Sequence, residues 1–267
     1  MRSLLFVFLL LLLLLENLTA QTFEGRVMDE ASGEGIAYAN VGVVGKNVGT
    51  VSSAQGHFQI AIDSRYHQDT LRISAVGYQP YQLTVGDFVQ RLQDDPTVMM
   101  TEAVTMMKEI VVKEKKYKGR KLKERVLGNT EATMNNETLF ETNQLGHEMG
   151  VRVKVRRKPT FVQDFTVTLT ENQYDTFKFR INFCSMKDGL PDRNLLNENI
   201  IVTSSQKKGP ITVDLRDYNI VLENDVFVSM EWIEDLGGLW VGICDRYRFA
   251  DSAYTYPYHQ PGELEGR

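Results

Sequence analysis

Apolar and polar residues alternate along most of this chain with a period of two, the pattern of strands that bury one face. His57-Phe-Gln-Ile-Ala-Ile62 shows it plainly, with Phe58, Ile60 and Ile62 on one face and His57, Gln59 and Ala61 on the other. The same reading predicts strands at Phe23–Asp29, Asn40–Val44, Thr70–Ala75, Tyr81–Val85 and Thr97–Met100, each bounded by Gly, Asp, Ser or Pro. Strand starts roughly ten residues apart are what a β-sandwich produces. Phe88, Val89 and Leu92 break the alternation with helical spacing, so residues 86–95 are predicted as one short helical turn.

A further strand is predicted at Glu109–Val112, after which the alternation lapses until Gly150. Val151, Val153 and Val155 then share one face, with Arg152, Lys154 and Arg156 on the other. Phe161–Thr170, Thr176–Met186, Asn199–Thr203, Ile211–Leu215, Val226–Ile233 and Leu239–Cys244 continue the series. Many strands without a strong helix predict an all-β chain, with a second antiparallel sandwich of jelly-roll type. No period of solenoid length recurs.

Charge divides the chain differently. The formal net charge is −5, yet Lys108–Arg125 holds nine basic and three acidic residues. The segment 113–140 therefore reads as a charged linker, in part helical over Gly119–Leu127. Its basic run suits a solvated connection or a contact with an anionic surface; a net acidic chain without a matching basic face is a poor partner for nucleic acid. At the N-terminus, Arg2, the apolar run Leu4–Leu15 and Leu18-Thr-Ala20 read as a secretory signal peptide over 1–20, with an uncleaved anchor as the alternative. No later segment is apolar enough to span a bilayer.

Export brings the two cysteines into question. Cys184 and Cys244 have two readings: a disulfide closing a loop of about 60 residues, or two buried thiols. Four histidines (His57, His67, His147 and His259) begin no H-E-x-x-H or H-x-x-E pair. No G-x-S-x-G elbow, phosphate-binding loop or G-x-G-x-x-G occurs either. Lys187–Asp192 and Glu223–Asp225 hold carboxylates too sparse for calcium and read as turns. No catalytic, cofactor or metal residue is assigned. Tyr254-Thr-Tyr-Pro-Tyr-His259 could form an aromatic contact surface, or a tail packed on its own domain.

The motifs of the first hundred residues carry a resemblance. Gly25-Arg-Val-Met-Asp29, Ser32-Gly33, Ala39-Asn-Val41, Gly49-Thr50, Gly56-x-Phe58-x-Ile60 and Leu71-x-Ile-Ser-Ala-Val-Gly-Tyr78 follow one another in an order that resembles the carboxypeptidase-regulatory-like domain. The resemblance covers about residues 22–100 and implies a prealbumin-like β-sandwich of exported proteins. Ser52-Ser-Ala54 departs from the family's turn aspartate, and Gly35 stands where proline is commoner. Gly49–Phe58 is then expected to be a hairpin turn rather than a phosphate cradle, and Tyr78 to fold back towards a backbone partner. The family occurs beside peptidases and ahead of TonB-dependent transporters, where a strand like Lys108–Val112 precedes the plug. The second half is loosely similar to the sandwich of other exported proteins carrying this domain.

The expected organisation is a signal peptide (1–20), a carboxypeptidase-regulatory-like sandwich (21–112), the charged linker (113–140), a C-terminal sandwich (141–250) and a Tyr/Pro/Gly tail (251–267). The expected role is an exported, non-catalytic binding module without a cofactor, contacting a protein or carbohydrate at the periplasmic or outer face of the cell envelope. The alternatives are a hydrolase with a cryptic site in the second sandwich and an accessory protein docking on a TonB-dependent transporter.

Overall fold

The computed structural model describes residues 20–103, 125–128, 137–141, 145–235, 240–244 and 254–256. The expected signal peptide, the Glu109–Val112 strand and most of the Gly119–Leu127 helix fall outside them; Arg125–Gly128 has no helix. Strands dominate, as the alternation requires. No helix among the described residues is long and apolar enough to cross a membrane.

Among the described residues the first lobe is a sandwich of seven strands. β1 (Gln21–Asp29), β4 (His57–Ile62) and β7 (Thr97–Met100) form one sheet in the order β4-β1-β7, with β7 parallel to β1. β2 (Asn40–Val43), β3 (Gly49–Val51), β5 (Thr70–Ser74) and β6 (Tyr81–Thr84) form the other, antiparallel throughout in the order β3-β2-β5-β6. Val27, Val41, Val43, Phe58, Ile60, Leu71, Ile73 and Val98 fill the space between them.

One end of this core is closed by α1 (Val85–Asp94), a full helix rather than the expected single turn. The Thr84 hydroxyl caps it by accepting from Asp87 N at 3.1 Å. Phe88 and Leu92, one turn apart, are buried against the sheets. Pro96 then forces the preceding residue out of helical geometry, and Asp95 is extended (φ −147°, ψ 112°).

Gly49–Phe58 differs from expectation. It turns, but the strands on its two sides, β3 and β4, pair in different sheets, so it is a corner crossing the sandwich rather than a hairpin. Gly56 has φ +84°, and a Cβ there would lie 2.3 Å from the Val27 carbonyl oxygen. Val27 N donates to Gly56 O (2.8 Å), and Ile36 N donates to Val27 O (2.9 Å), so the corner closes on the backbone of β1. A Cβ on Gly35 would meet Gln55 O at 2.0 Å, which explains why the residue there is glycine. Burial first, then the nearby Asp29 carboxylate, raises the Tyr78 phenol pKa.

The second lobe packs two larger sheets. β8 (Glu137–Glu141), β11 (Asp164–Asn172), β15 (Gly209–Asp214) and β18 (Trp240–Cys244) form one in the order β15-β11-β18-β8. The other has six strands: β9 (Glu148–Val153), β12 (Phe177–Lys187), β13 (Leu190–Asn194), β14 (Ile200–Ser204), β17 (Val226–Asp235) and β19 (Tyr254–Tyr256). Its order is β13-β12-β17-β9-β19, with β14 also paired to β12. A short ribbon joins β10 (Thr160–Phe161) to β16 (Val221–Leu222). Trp232, Tyr174, Phe177, Phe179 and Ile181 anchor the core between the sheets. β8 lies in the stretch read as linker and β19 in the stretch read as tail; both pair with this lobe's strands.

Candidate functional site

Strand alternation also decides what happens at the back of the six-stranded sheet. On β12, Phe177, Phe179, Ile181 and Phe183 point into the second core. Arg180, Asn182 and Cys184 therefore point the other way, where a solvated face would be expected. They are buried nonetheless, with Arg180 3% and Cys184 1% exposed. Opposite them on β17, Glu231 pairs in register with Arg180 and Ser229 with Asn182; on β9, Glu148 pairs with Glu231.

These residues form a closed polar network. Arg180 grips Glu231 bidentately, Nε to Oε2 at 2.8 Å and Nη2 to Oε1 at 2.7 Å. Asn182 Nδ2 donates to both carboxylates, to Glu148 Oε1 at 2.9 Å and to Glu231 Oε2 at 2.8 Å. Ser229 Oγ also donates to Glu148 Oε1. Asn194 on β13 orients Asn182 through Nδ2 to Oδ1 at 3.2 Å.

The first lobe supplies the lid of this network. Arg180 Nη1 donates to the Tyr38 carbonyl oxygen (2.8 Å) and Nη2 to Asn40 Oδ1 (2.5 Å). Tyr38 sits at φ +56°, a conformation that costs a bulky residue about 1–2 kcal/mol and persists only where its surroundings hold it. Its hydroxyl donates to Glu234 Oε2 and accepts from Lys178 Nζ, both at 3.2 Å, and Lys178 also pairs with Glu234. That pairing raises the Lys178 pKa. Beside these polar contacts, Tyr38, Val51 and Ile233 form a small apolar cluster that joins the two lobes.

Electrostatics make Glu148 the unusual member. Burial first, then the neighbouring Glu231 carboxylate, pushes its pKa up to about 7, against the opposing pull of Ser229, Asn182 and Arg180. A carboxyl group poised near neutrality is what general acid catalysis uses. Here, however, Glu231 is bonded through both oxygens to Arg180 and Asn182, and the arginine that would polarise a substrate is spent on Glu231, Tyr38 and Asn40. The geometry is that of a clasp between lobes.

Among the residues considered from sequence, Cys184 lies behind β12 as a buried free thiol. Burial, then Glu148 and Glu231, raises its pKa well above the ordinary range, which disfavours a thiolate nucleophile. Cys244 lies on β18 of the facing sheet, and its side chain is outside the described residues; the outward direction of Cys184 fits the free-thiol reading. Asp188 and Gly189, both at positive φ, make the β12–β13 turn, and Asp192 accepts from Ser185 (3.2 Å). Burial pushes the Asp225 carboxyl up, but it accepts from Val155 N and Arg152 Nη2, both at 2.9 Å, and these bonds hold it below the usual range. His147 is half-buried, and burial lowers its pKa.

Arg180, Asn182, Glu148 and Glu231 were not singled out from the sequence. The available signal was opposite charge inside two long apolar strands, Arg180 within Phe177–Phe183 and Glu231 within Val226–Ile233. Whether such charges meet depends on strand register and on what covers the sheet.

Two comparisons bear on the first lobe. Over 85 residues, 32% of this chain, the sequence is 34% identical to the TonB-dependent receptor SusC of Bacteroides thetaiotaomicron. The match spans 8% of that receptor's length. A family model, the CarboxypepD_reg-like domain, matches residues 23–112, in agreement with the motif order and the seven-stranded sandwich built from it. Residues 23–112 therefore carry a CarboxypepD_reg-like domain, a domain type that is not itself catalytic.

Proposed function

We propose that this chain is an exported, non-catalytic interaction module of the cell envelope. In this reading the CarboxypepD_reg-like lobe holds the second sandwich at a fixed angle, and the second sandwich contacts a protein or carbohydrate partner. The observation that carries it is the clasp: Arg180 reaches from β12 to Glu231 and on to Tyr38 and Asn40, using its donors for rigidity rather than for substrate. The test is glycan-array and envelope cross-linking measurements on the purified chain, repeated with alanine at exposed second-lobe residues and at Tyr254, Tyr256 and Tyr258. Partner or glycan binding that no substitution weakens would overturn the reading. So would turnover on a hydrolase substrate panel that is lost in Glu148→Gln.

The likeness to a TonB-dependent receptor favours a second reading, in which the chain docks on such a transporter through Lys108–Val112. Deletion of Lys108–Val112 should then abolish co-purification with the transporter while glycan binding is unchanged.

A further inference from the structure

The end of the second lobe farthest from the clasp carries a concentration of exposed cations that the proposed function leaves unused. β17 starts at Val226, beside Val153, and reaches the first lobe near Ile233. At a strand's rise this separates the two ends by about 25 Å. At the far end, Arg152, Lys154, Arg156, Arg157 and Lys158 are all exposed, five cations within seven residues of an acidic chain.

Local bonds gather this segment with the turn that precedes β17. Arg152 pairs with Asp225 (2.9 Å), Lys158 Nζ donates to Asn224 Oδ1 (2.9 Å), and Thr160 Oγ1 donates to Arg157 O (2.6 Å). The nearby acids on this turn are Asp225, already paired, and Glu223. Asp164, Asp214 and Asp217 belong to the neighbouring four-stranded sheet and the turn after it, where Arg216 faces Asp214.

Beside the cations stands an exposed apolar pair. Phe161 and Val221 face each other across the β10–β16 ribbon and are 45% and 38% exposed. Guanidinium groups bind phosphate oxygens bidentately, and an aromatic–aliphatic pair gains from entering the apolar boundary beneath a headgroup layer. A hydrated acidic polysaccharide would use the cations but leave Phe161 and Val221 without a partner.

We infer that this tip, Arg152–Phe161 with Val221, is a docking surface for an anionic lipid bilayer. The arginines and lysines take the headgroup phosphates, and Phe161 and Val221 enter the interface. The contact would hold the molecule end-on, with the first lobe directed away from the membrane. It does not depend on the identity of the partner proposed above.

The test is co-sedimentation of the chain from Gln21 onward, which retains both cores but lacks the apolar run Leu4–Leu15 that would bind lipid by itself. Binding is expected to phosphatidylcholine–phosphatidylglycerol vesicles and not to pure phosphatidylcholine, and it should weaken as salt screens the charges. Arg156→Gln with Arg157→Gln should lower the partition coefficient about 25-fold, at roughly fivefold per cation. Phe161→Ser should lower it about threefold on the anionic vesicles. Thermal melting of each variant checks that the fold survives. Absence of binding to anionic vesicles at low salt overturns the inference, as does a double variant that binds like the wild type. Capture by dextran sulfate without vesicle binding also overturns it, in favour of a soluble polyanion.

Discussion

β4 and β12 carry the same binary pattern and meet different environments. In β4, His57, Gln59 and Ala61 face solvent while Phe58, Ile60 and Ile62 fill the first core. In β12 the polar positions Arg180 and Asn182 are as buried as Phe179 and Ile181 between which they alternate. The difference arises outside the strand: among the described residues the back of β4 is left exposed, whereas β12 is covered at Arg180 by Tyr38 and Asn40 of the other lobe. Burial of a charge demands a partner, so β12 needs Glu231 at one register position and β4 needs none.

The sharpest way to test this contrast is to remove the cation. Arg180→Met leaves the buried Glu231 without a counter-charge, beside the half-buried Glu148, and should cost about 3–5 kcal/mol, read from urea denaturation. Gln59→Ala on the exposed face of β4, where the side chain only bonds Glu24, should change stability by less than about 0.5 kcal/mol. Similar losses in the two variants would mean that the backs of the two strands are equivalent.

Glu148 should make the clasp depend on pH. Its folded-state pKa of about 7 lies above the ordinary 4.5, so the folded chain binds the extra proton between those values. The stabilisation is complete below the unfolded pKa and is lost as pH rises through about 7, a fall of about 1–3 kcal/mol by pH 8. Glu148→Gln keeps an oxygen to accept from Ser229 and Asn182 but cannot ionise. Urea midpoints measured across that range should slope downwards for the wild type and lie nearly flat for the variant.

Smaller effects belong to the rim of the clasp. Tyr38→Phe removes the hydroxyl between Lys178 and Glu234 but retains the ring against Val51 and Ile233, so about 1 kcal/mol is expected. Hydrogen exchange should then rise around Tyr38–Asn40 and not in β4. Thiol titration of denatured, unreduced protein should release both cysteines, because Cys184 points away from the core that β18 faces.

Local chemistry made much of the fold legible. His57–Ile62 and Thr97–Met100 were read with their observed boundaries, since period two over four to six residues has no helical alternative. The helical spacing places the segment at 86–95, one residue off the observed Val85–Asp94, because Thr84 and Val85 also read as the end of a strand. β3, β13 and β16 went unread: two are too short to show a period, and the third is Leu-Pro-Asp-Arg-Asn. Their pairing with longer neighbours, rather than their own composition, makes them strands.

Taken alone, the order of residues determined the class of this protein, the inward face of each long strand and the CarboxypepD_reg-like lobe. These depend on contacts within a few residues or on motifs that local backbone geometry requires. It did not determine the clasp. Arg180 and Glu231 are 51 residues apart, and Arg180 and Tyr38 are 142 apart. Only the assembled sheets bring them together, and only the position of one lobe against the other covers Arg180 on what would otherwise be a solvated strand face.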